Sequence, residues 1–350
     1  MSKSPDSKQA SCVSDLHRRD FLRMGVGALG AASAGLVSGC GLITRTCKSV
    51  PPNPFVAAGK PLLVVVEGED MGAMLRAGIE ALGGLDPLGK LGSEAIFRGN
   101  YVTSQPYPVT TDPEFVLAVA AELKHAGLSK SSLLDCTGTR LAAGLPPERT
   151  MQRLGVLDKL TQGGVPVLAR DSFDPDEFVF VRNPAWPIAK PVAVHRILNE
   201  APVVVSLPVL KRHRGGANFS CCLKMHFGSV AMDDRMLVHL KDDSGRLGMF
   251  QQRLVHFADA VKPQLNVVDV RAILARGGPA LSGGAEIVRG VNKLILSGDM
   301  VAVDSYCARL LAQHDTTFKP EMAAPALKHA AALGLGRADL DDVKVVEIRA

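Results

Sequence analysis

Short apolar runs alternate with amphipathic stretches from residue 61 to the end of this chain. Leu62-Leu63-Val64-Val65-Val66 is the first run, and its unbroken apolar character predicts a strand covered on both faces, as in a parallel sheet. A helix is predicted near Asp70–Leu82 and a short strand at Ala95–Phe97. Asp112 to Ala126 carries clear helix punctuation: Asp112 or Thr111 as N-cap, Pro113 in the first turn and Gly127 past the end. The pattern then predicts a strand at Ser132–Asp135, one helix over Glu148–Gln162, and strands at Val165–Ala169 and Phe178–Val181. Strands follow at Pro202–Leu207, Leu265–Val270, Lys293–Ser297 and Val343–Ile348, with helices over Arg246–Val261, Asp299–Ala312 and Glu321–Leu333. This alternation predicts an α/β fold, a mostly parallel sheet with flanking helices in a Rossmann-like three-layer arrangement. No repeat or change of composition interrupts residues 61–350, which read as a single domain.

The first sixty residues break the pattern. His17-Arg18-Arg19-Asp20-Phe21-Leu22-Arg23 precedes an uncharged, glycine- and alanine-rich run from Met24 to Gly39. Paired arginines, an apolar run and a small-residue exit make an export signal, and Arg18-Arg19 points to twin-arginine (Tat) translocation. The segment resembles the Tat pattern S-R-R-x-F-L-K, with His17 in place of serine and Arg23 in place of lysine. At about 16 residues the run is shorter than the roughly 20 a permanent membrane span needs. Val37-Ser38-Gly39-Cys40 resembles a lipoprotein cleavage box, which predicts removal of residues 1–39 and lipidation of Cys40. Ordinary cleavage after Ala32-Ser33-Ala34 is the alternative. Residues 40–60, with Pro51, Pro52 and Pro54, read as a tether. The expected location is the periplasm or cell envelope, with the Tat translocase as partner during export and the membrane reached through a lipid anchor.

Composition narrows the function classes. Apolar residues make up 47% of the 350 and charged residues 21%, as in a globular protein with a real core. The net charge of +5 is small and no basic run is interleaved with aromatics, which excludes a nucleic-acid partner. None of the seven cysteines forms C-x-x-C, so zinc-ribbon and bacterial ferredoxin patterns are absent. Cys136 and Cys307 read as core packing, whereas the vicinal Cys221-Cys222 reads either as buried thiols or as a redox pair. The P-loop, nucleophile-elbow and zincin motifs do not occur.

Candidate chemistry lies at strand exits, because ligands of open α/β sheets bind beyond the carboxyl ends of the strands. The strand at Pro202–Leu207 runs into Lys211, Arg212, His213 and Arg214, followed by Gly215-Gly216. Such a segment suits phosphate or carboxylate, or is a solvated basic loop. Lys224 and His226 stand in the otherwise apolar stretch Ser220–Gly228. A buried ammonium there requires an anion or a polar cavity, and His226 is a candidate acid or base. Arg98-Gly99-Asn100 follows another strand, and Thr110-Thr111-Asp112-Pro113 opens a helix either as an anion cradle or as a simple cap. Asp269, Asp299 and Asp304 fall at strand or helix ends, as counter-charges, caps or ligands of a divalent cation.

Taken in order, these segments resemble the domain-of-unknown-function 362 family from about residue 61 onward. Its K-P-N element is matched by Arg98-Gly99-Asn100, its T-D-P helix start by Thr111-Asp112-Pro113, and its P-K-L-K-x-H segment by Pro208 to His213. The K-N-x-F-G segment is matched in part by Lys224-Met225-His226-Phe227-Gly228. A strand closing in Val268-Asp269, a Gly278-Pro279 turn and Ser297-Gly298-Asp299-Met300-Val301-Ala302-Val303-Asp304 complete the series. Arg98 replaces the usual lysine and Met225-His226 alters the usual lysine–asparagine pair. The ferredoxin-type segment of many members is missing here. The resemblance implies that these polar positions share one site, and it implies neither a defined reaction nor a particular cofactor or metal. Lys211, His213, Lys224 and His226 are thus expected to be catalytic, and Arg98, Asn100, Thr111, Asp269 and Asp304 to hold a ligand or cofactor. The expectation is an exported protein that binds a small anionic ligand or cofactor in a cationic cleft, as an envelope enzyme or redox-associated protein. The alternative is a non-catalytic periplasmic binding or assembly lipoprotein.

Overall fold

The computed structural model describes residues 43–135, 146–170, 172–214, 216–239, 249–282 and 284–350. Arg18, Arg19, Cys40 and Cys136 lie outside the described residues. The strands are β1 (Thr44–Thr46), β2 (Val56–Ala57), β3 (Lys60–Glu67), β4 (Glu94–Arg98), β5 (Lys130–Asp135), β6 (Val167–Ala169) and β7 (Phe178–Arg182). They continue with β8 (Val192–His195), β9 (Val203–Ser206), β10 (Val209–Arg212), β11 (Phe219–Ser220), β12 (Leu265–Ala275), β13 (Glu286–Ser297) and β14 (Lys344–Arg349). The central sheet runs in the order β14-β3-β13-β12-β9-β4-β5-β6, with β10 pairing in parallel on β12 and β11 pairing on β10. Along the eight-strand path, β13 is the strand that opposes its two neighbours, and the remaining pairs are parallel. The fold is α/β with a mostly parallel sheet, as the alternation predicted.

The main helices used below are α1 (Met71–Leu82), α2 (Pro113–His125), α3 (Pro147–Arg153), α4 (Val156–Gln162), α5 (Cys222–Met225), α6 (Phe250–Val261), α7 (Met300–His314) and α8 (Ala324–Ala332). Leu62, Val64 and Val66 of β3 face one core with α1 and α2, and Leu63 and Val65 face another with α6, α7 and α8. Period two along an unbroken apolar run therefore covers both faces and makes three layers. Asp70, Asp112 and Asp299 cap α1, α2 and α7 through side-chain oxygens that accept backbone N–H groups. Among the described residues no helix is long and apolar enough to cross a membrane.

Four sequence expectations change. The helix expected over Glu148–Gln162 is two, α3 and α4, because Gly155 takes a left-handed φ of 68° between them. The strand at Phe178–Val181 leaves the main sheet and forms a separate one in the order β1-β7-β8. Strands β12 and β13 are longer than predicted and pair as an antiparallel hairpin. Finally, much of the expected tether is held against the body: β1 pairs with β7, and Phe55 is buried with Leu62 and Leu85 in the first core. Burial of the Phe55 ring adds to the pairing of β1 with β7 and of β2 with β3 in holding the stretch.

Candidate functional site

The parallel strands β4, β5 and β9 end side by side, so that Arg98 registers with Leu134 and with Ser206. The Arg98 guanidinium is buried. It donates to the Leu134 carbonyl (2.6 Å) and to Ser229 Oγ (3.1 Å), and pairs with the buried Asp135 carboxylate at 3.4 Å. His226, on the turn that follows α5, lies between two hydroxyls: Ser229 Oγ is 3.3 Å from Nδ1 and Ser206 Oγ is 3.3 Å from Nε2. Burial, then the Arg98 and Lys48 charges, push this imidazole down to about 3, so it is neutral at pH 7.

Beside this group stands Lys211 on β10, 1% exposed. Its ammonium donates to the Val109 carbonyl (2.7 Å), the Pro279 carbonyl (3.4 Å) and Asn100 Oδ1 (3.5 Å). All three acceptors are neutral oxygens, and burial alone brings the amine down to about 7. Gly278 makes the Pro279 contact possible. Its φ is 96°, and a Cβ there would collide with the Arg212 carbonyl.

Lys224 on α5 is half-buried, with its ammonium 3.8 Å from the centre of the Phe227 ring. It has no hydrogen-bond or ion-pair partner among the described residues. Burial, followed by the nearby Lys211 and Arg235 charges, brings it to about 7 as well. His213 Nδ1 is 2.6 Å from the Arg214 carbonyl, and burial followed by the Lys224 charge lowers that ring to about 3. Lys224 and His213 both respond to the Lys211 charge, which puts the three in one neighbourhood at the carboxyl edge of the sheet.

The remaining expected residues hold this edge in place. Thr111 Oγ1 donates to the Leu207 carbonyl (2.9 Å) and accepts from the Asn100 N–H (2.8 Å), tying the loop that follows β4 to the exit of β9. Asp269 and Asp304 do not serve as counter-charges to the lysines. Asp269 accepts from Tyr107 Oη (2.8 Å) and from the Arg271 guanidinium (2.7 Å), which also reaches Asp112 at 2.7 Å. The register of β12 against β13 shifts between Val270 and Ala272, and this irregularity lets Arg271 close on an aspartate two residues back. Asp304 accepts from the backbone N–H groups of Cys222 (2.7 Å) and Leu223 (3.0 Å), fixing the start of α5. Sequence reasoning does not single out Asp135, Ser206, Ser229 or Tyr107. Asp135 closes a predicted strand, so the strand-exit rule that selects Arg98 applies to it equally.

A family model described as "Domain of unknown function (DUF362)" matches residues 98–309, more than half of the chain. No curated protein matches. Among solved structures, the lactate racemase apoprotein from Thermoanaerobacterium thermosaccharolyticum matches at 13% identity with a TM-score of 0.44, over 73% of this chain and 59% of that one. A Thermotoga maritima protein solved by a structural genomics consortium matches at 13% identity with a TM-score of 0.36, over 71% of this chain and 58% of that one. The chain thus spans less than two thirds of the length of either structure.

Proposed function

The chain belongs to the DUF362 family, and on that footing we propose that it is an exported protein whose cationic pocket binds a small anionic ligand, a carboxylate or a phosphate. Lys211 carries this reading: a fully enclosed ammonium held by neutral oxygens, with a second ammonium, that of Lys224, close by. Two like charges near one another, one of them enclosed, are costly, and an anion between them offsets the cost. Asn100 Oδ1 and the two carbonyls fix the direction of the Lys211 N–H groups, while Lys224 is free to turn toward a ligand. Both amines sit at about 7, so each is able to take or release a proton near neutrality. In turnover, Lys224 would contact the anion and exchange the proton, and Lys211, whose three N–H groups are already taken, would act through its charge from behind. The Arg18-Arg19 signal and Cys40 support a location outside the cytoplasm, on a lipid anchor.

Thermal unfolding of the mature chain against inorganic phosphate and oxalate tests the pocket. A saturable rise in Tm with either anion, absent in Lys211→Met, is the expected result. No rise with either anion, or an unchanged rise in the variant, overturns it. Cell fractionation tests the export: an Arg18→Lys, Arg19→Lys double variant is expected to stay in the cytoplasm, and Cys40→Ala to leave the membrane fraction.

A further inference from the structure

Behind the pocket, three thiols and one carboxylate meet in the core. Cys221, Cys222, Cys307 and Asp304 are each at most 1% exposed. Isolated buried thiols are ordinary packing, but a buried carboxyl group among three of them is an unusual set of metal-ligating donors. We propose that Cys221, Cys222 and Asp304 form a site for one thiophilic divalent ion of the zinc class, with Cys307 as the fourth donor.

The distances support a shared ion. The sulfurs of Cys221 and Cys222 are 3.9 Å apart, and one donor atom from each of Cys221, Cys222 and Asp304 lies within 4.8 Å of the other two. Tetrahedral zinc with Zn–S bonds of about 2.3 Å sets its sulfurs about 3.8 Å apart. The Cys221 and Cys222 sulfurs are therefore already spaced as two ligands of one ion. Cys307 contacts the Cys221 sulfur and stands three residues after Asp304 on α7, on the same helical face; its sulfur lies outside the group of three close donors, so its side chain must turn to complete the set. The backbone N–H groups of Cys222 and Leu223 each occupy one lone pair of an Asp304 oxygen and leave a second one for a metal. Such amide bonds are the outer support that orients a carboxylate ligand. Three sulfurs favour zinc or copper(I) over magnesium or calcium, and the carboxylate with a donor count of four favours zinc. As the ion enters, each ligating thiol, and the Asp304 carboxyl where it is protonated, releases its proton to solvent.

Such an ion would staple α5 to α7. Lys224 lies on α5, two residues past Cys222, so the metal would hold one wall of the pocket. The metal proposal does not depend on what the pocket binds.

Cobalt(II) titration of the reduced full-length protein, followed by displacement with zinc(II), provides the test. One cobalt per chain is expected, with thiolate charge-transfer absorption and the visible bands of a tetrahedral ion, both bleached by zinc. Cys221→Ser is expected to abolish the spectrum, Cys307→Ala to weaken cobalt affinity at least tenfold, and Cys47→Ser, in a different core cluster, to leave it unchanged. Circular dichroism verifies that each variant folds, and Cys307→Ala serves if Cys221→Ser does not. Absence of thiolate bands in the reduced wild type overturns the proposal, as does a spectrum that survives Cys221→Ser or Cys307→Ala unaltered. Recovery of Cys221 in a disulfide from freshly purified protein also overturns it, in favour of a redox pair.

Discussion

The two edges of the central sheet carry different kinds of space. At the amino edge lies a groove of about 580 Å³, lined by Pro51, Pro52, Leu88, Pro263, Met300 and Leu335 among others. Two of its charged groups are held locally, Asp299 at a helix N-terminus that favours a carboxylate and Lys262 by an aspartate. Asp299 accepts from the N–H groups of Val301, Ala302 and Arg337, and Lys262 pairs with Asp259 at 3.1 Å. At the carboxyl edge Arg98 is paired with Asp135, while Lys211 and Lys224 have no carboxylate partner among the described residues. Volume marks where a molecule fits. Unmatched charge marks where one changes the energy, and the carboxyl edge is the better candidate on that ground.

The sharpest test of the contrast is Arg98→Ala. It takes one charge partner from buried Asp135 and a donor from Ser229, and is expected to cost about 3 kcal/mol in urea unfolding. A cost below about 1 kcal/mol would show that this edge is not built around the pair. Lys211→Met should act in the opposite direction. Removing a buried ammonium without a counter-ion relieves its desolvation but leaves three oxygens without their donor, so a net stabilisation of about 1 kcal/mol is expected at pH 7 in the ligand-free protein, together with loss of the response to phosphate or oxalate. A variant that is destabilised and still responds would reverse the assignment of the two edges.

The pH dependence follows from the same residue. Lys211 titrates at about 7 when folded and near 10.5 when unfolded. Between those values the unfolded chain binds the extra proton, so ligand-free stability should rise with pH from about 7 toward 10.5. Below about 7 both states are protonated and this contribution is level. Anion affinity should run the other way and fall as pH passes through 7, because the charged amine is the form that binds. A flatter stability profile in Lys211→Met, measured by urea unfolding across the window, isolates the group. Asp299→Ala is expected to give the smallest effect, about 1 kcal/mol from a lost helix cap, with the anion titration unchanged. A changed anion response there would couple the two edges.

Much of the scaffold is legible in the order of residues. The run Leu62–Val66, the Asp112-Pro113 start of α2 and the Asp299 cap of α7 are local signals, and the fold carries a strand, a helix start and a cap at those positions. The strand-exit rule selects Arg98 and Lys211 from position alone. Two features escape it. Strand β10 reads as a basic loop because Lys211 and Arg212 interrupt the apolar pattern, yet it pairs with β12. Asp269 is expected as a counter-charge to the cationic site or as a ligand residue, but Arg271, two residues away at a register shift, takes its carboxylate.

Local sequence is enough to dictate the periodicities, the caps, the alternating α/β order and the set of polar residues at strand ends. Each depends on neighbours within a few positions, where backbone geometry dictates which face a side chain takes. Only folding sets the state of those polar residues. Lys211 is enclosed by Val109 and Pro279, 102 and 68 residues away along the chain, and Asp304 meets the backbone of Cys222 across 82. Whether an ammonium is solvated, paired or stranded depends on every group around it, and distant parts of the chain supply those groups only when they pack together.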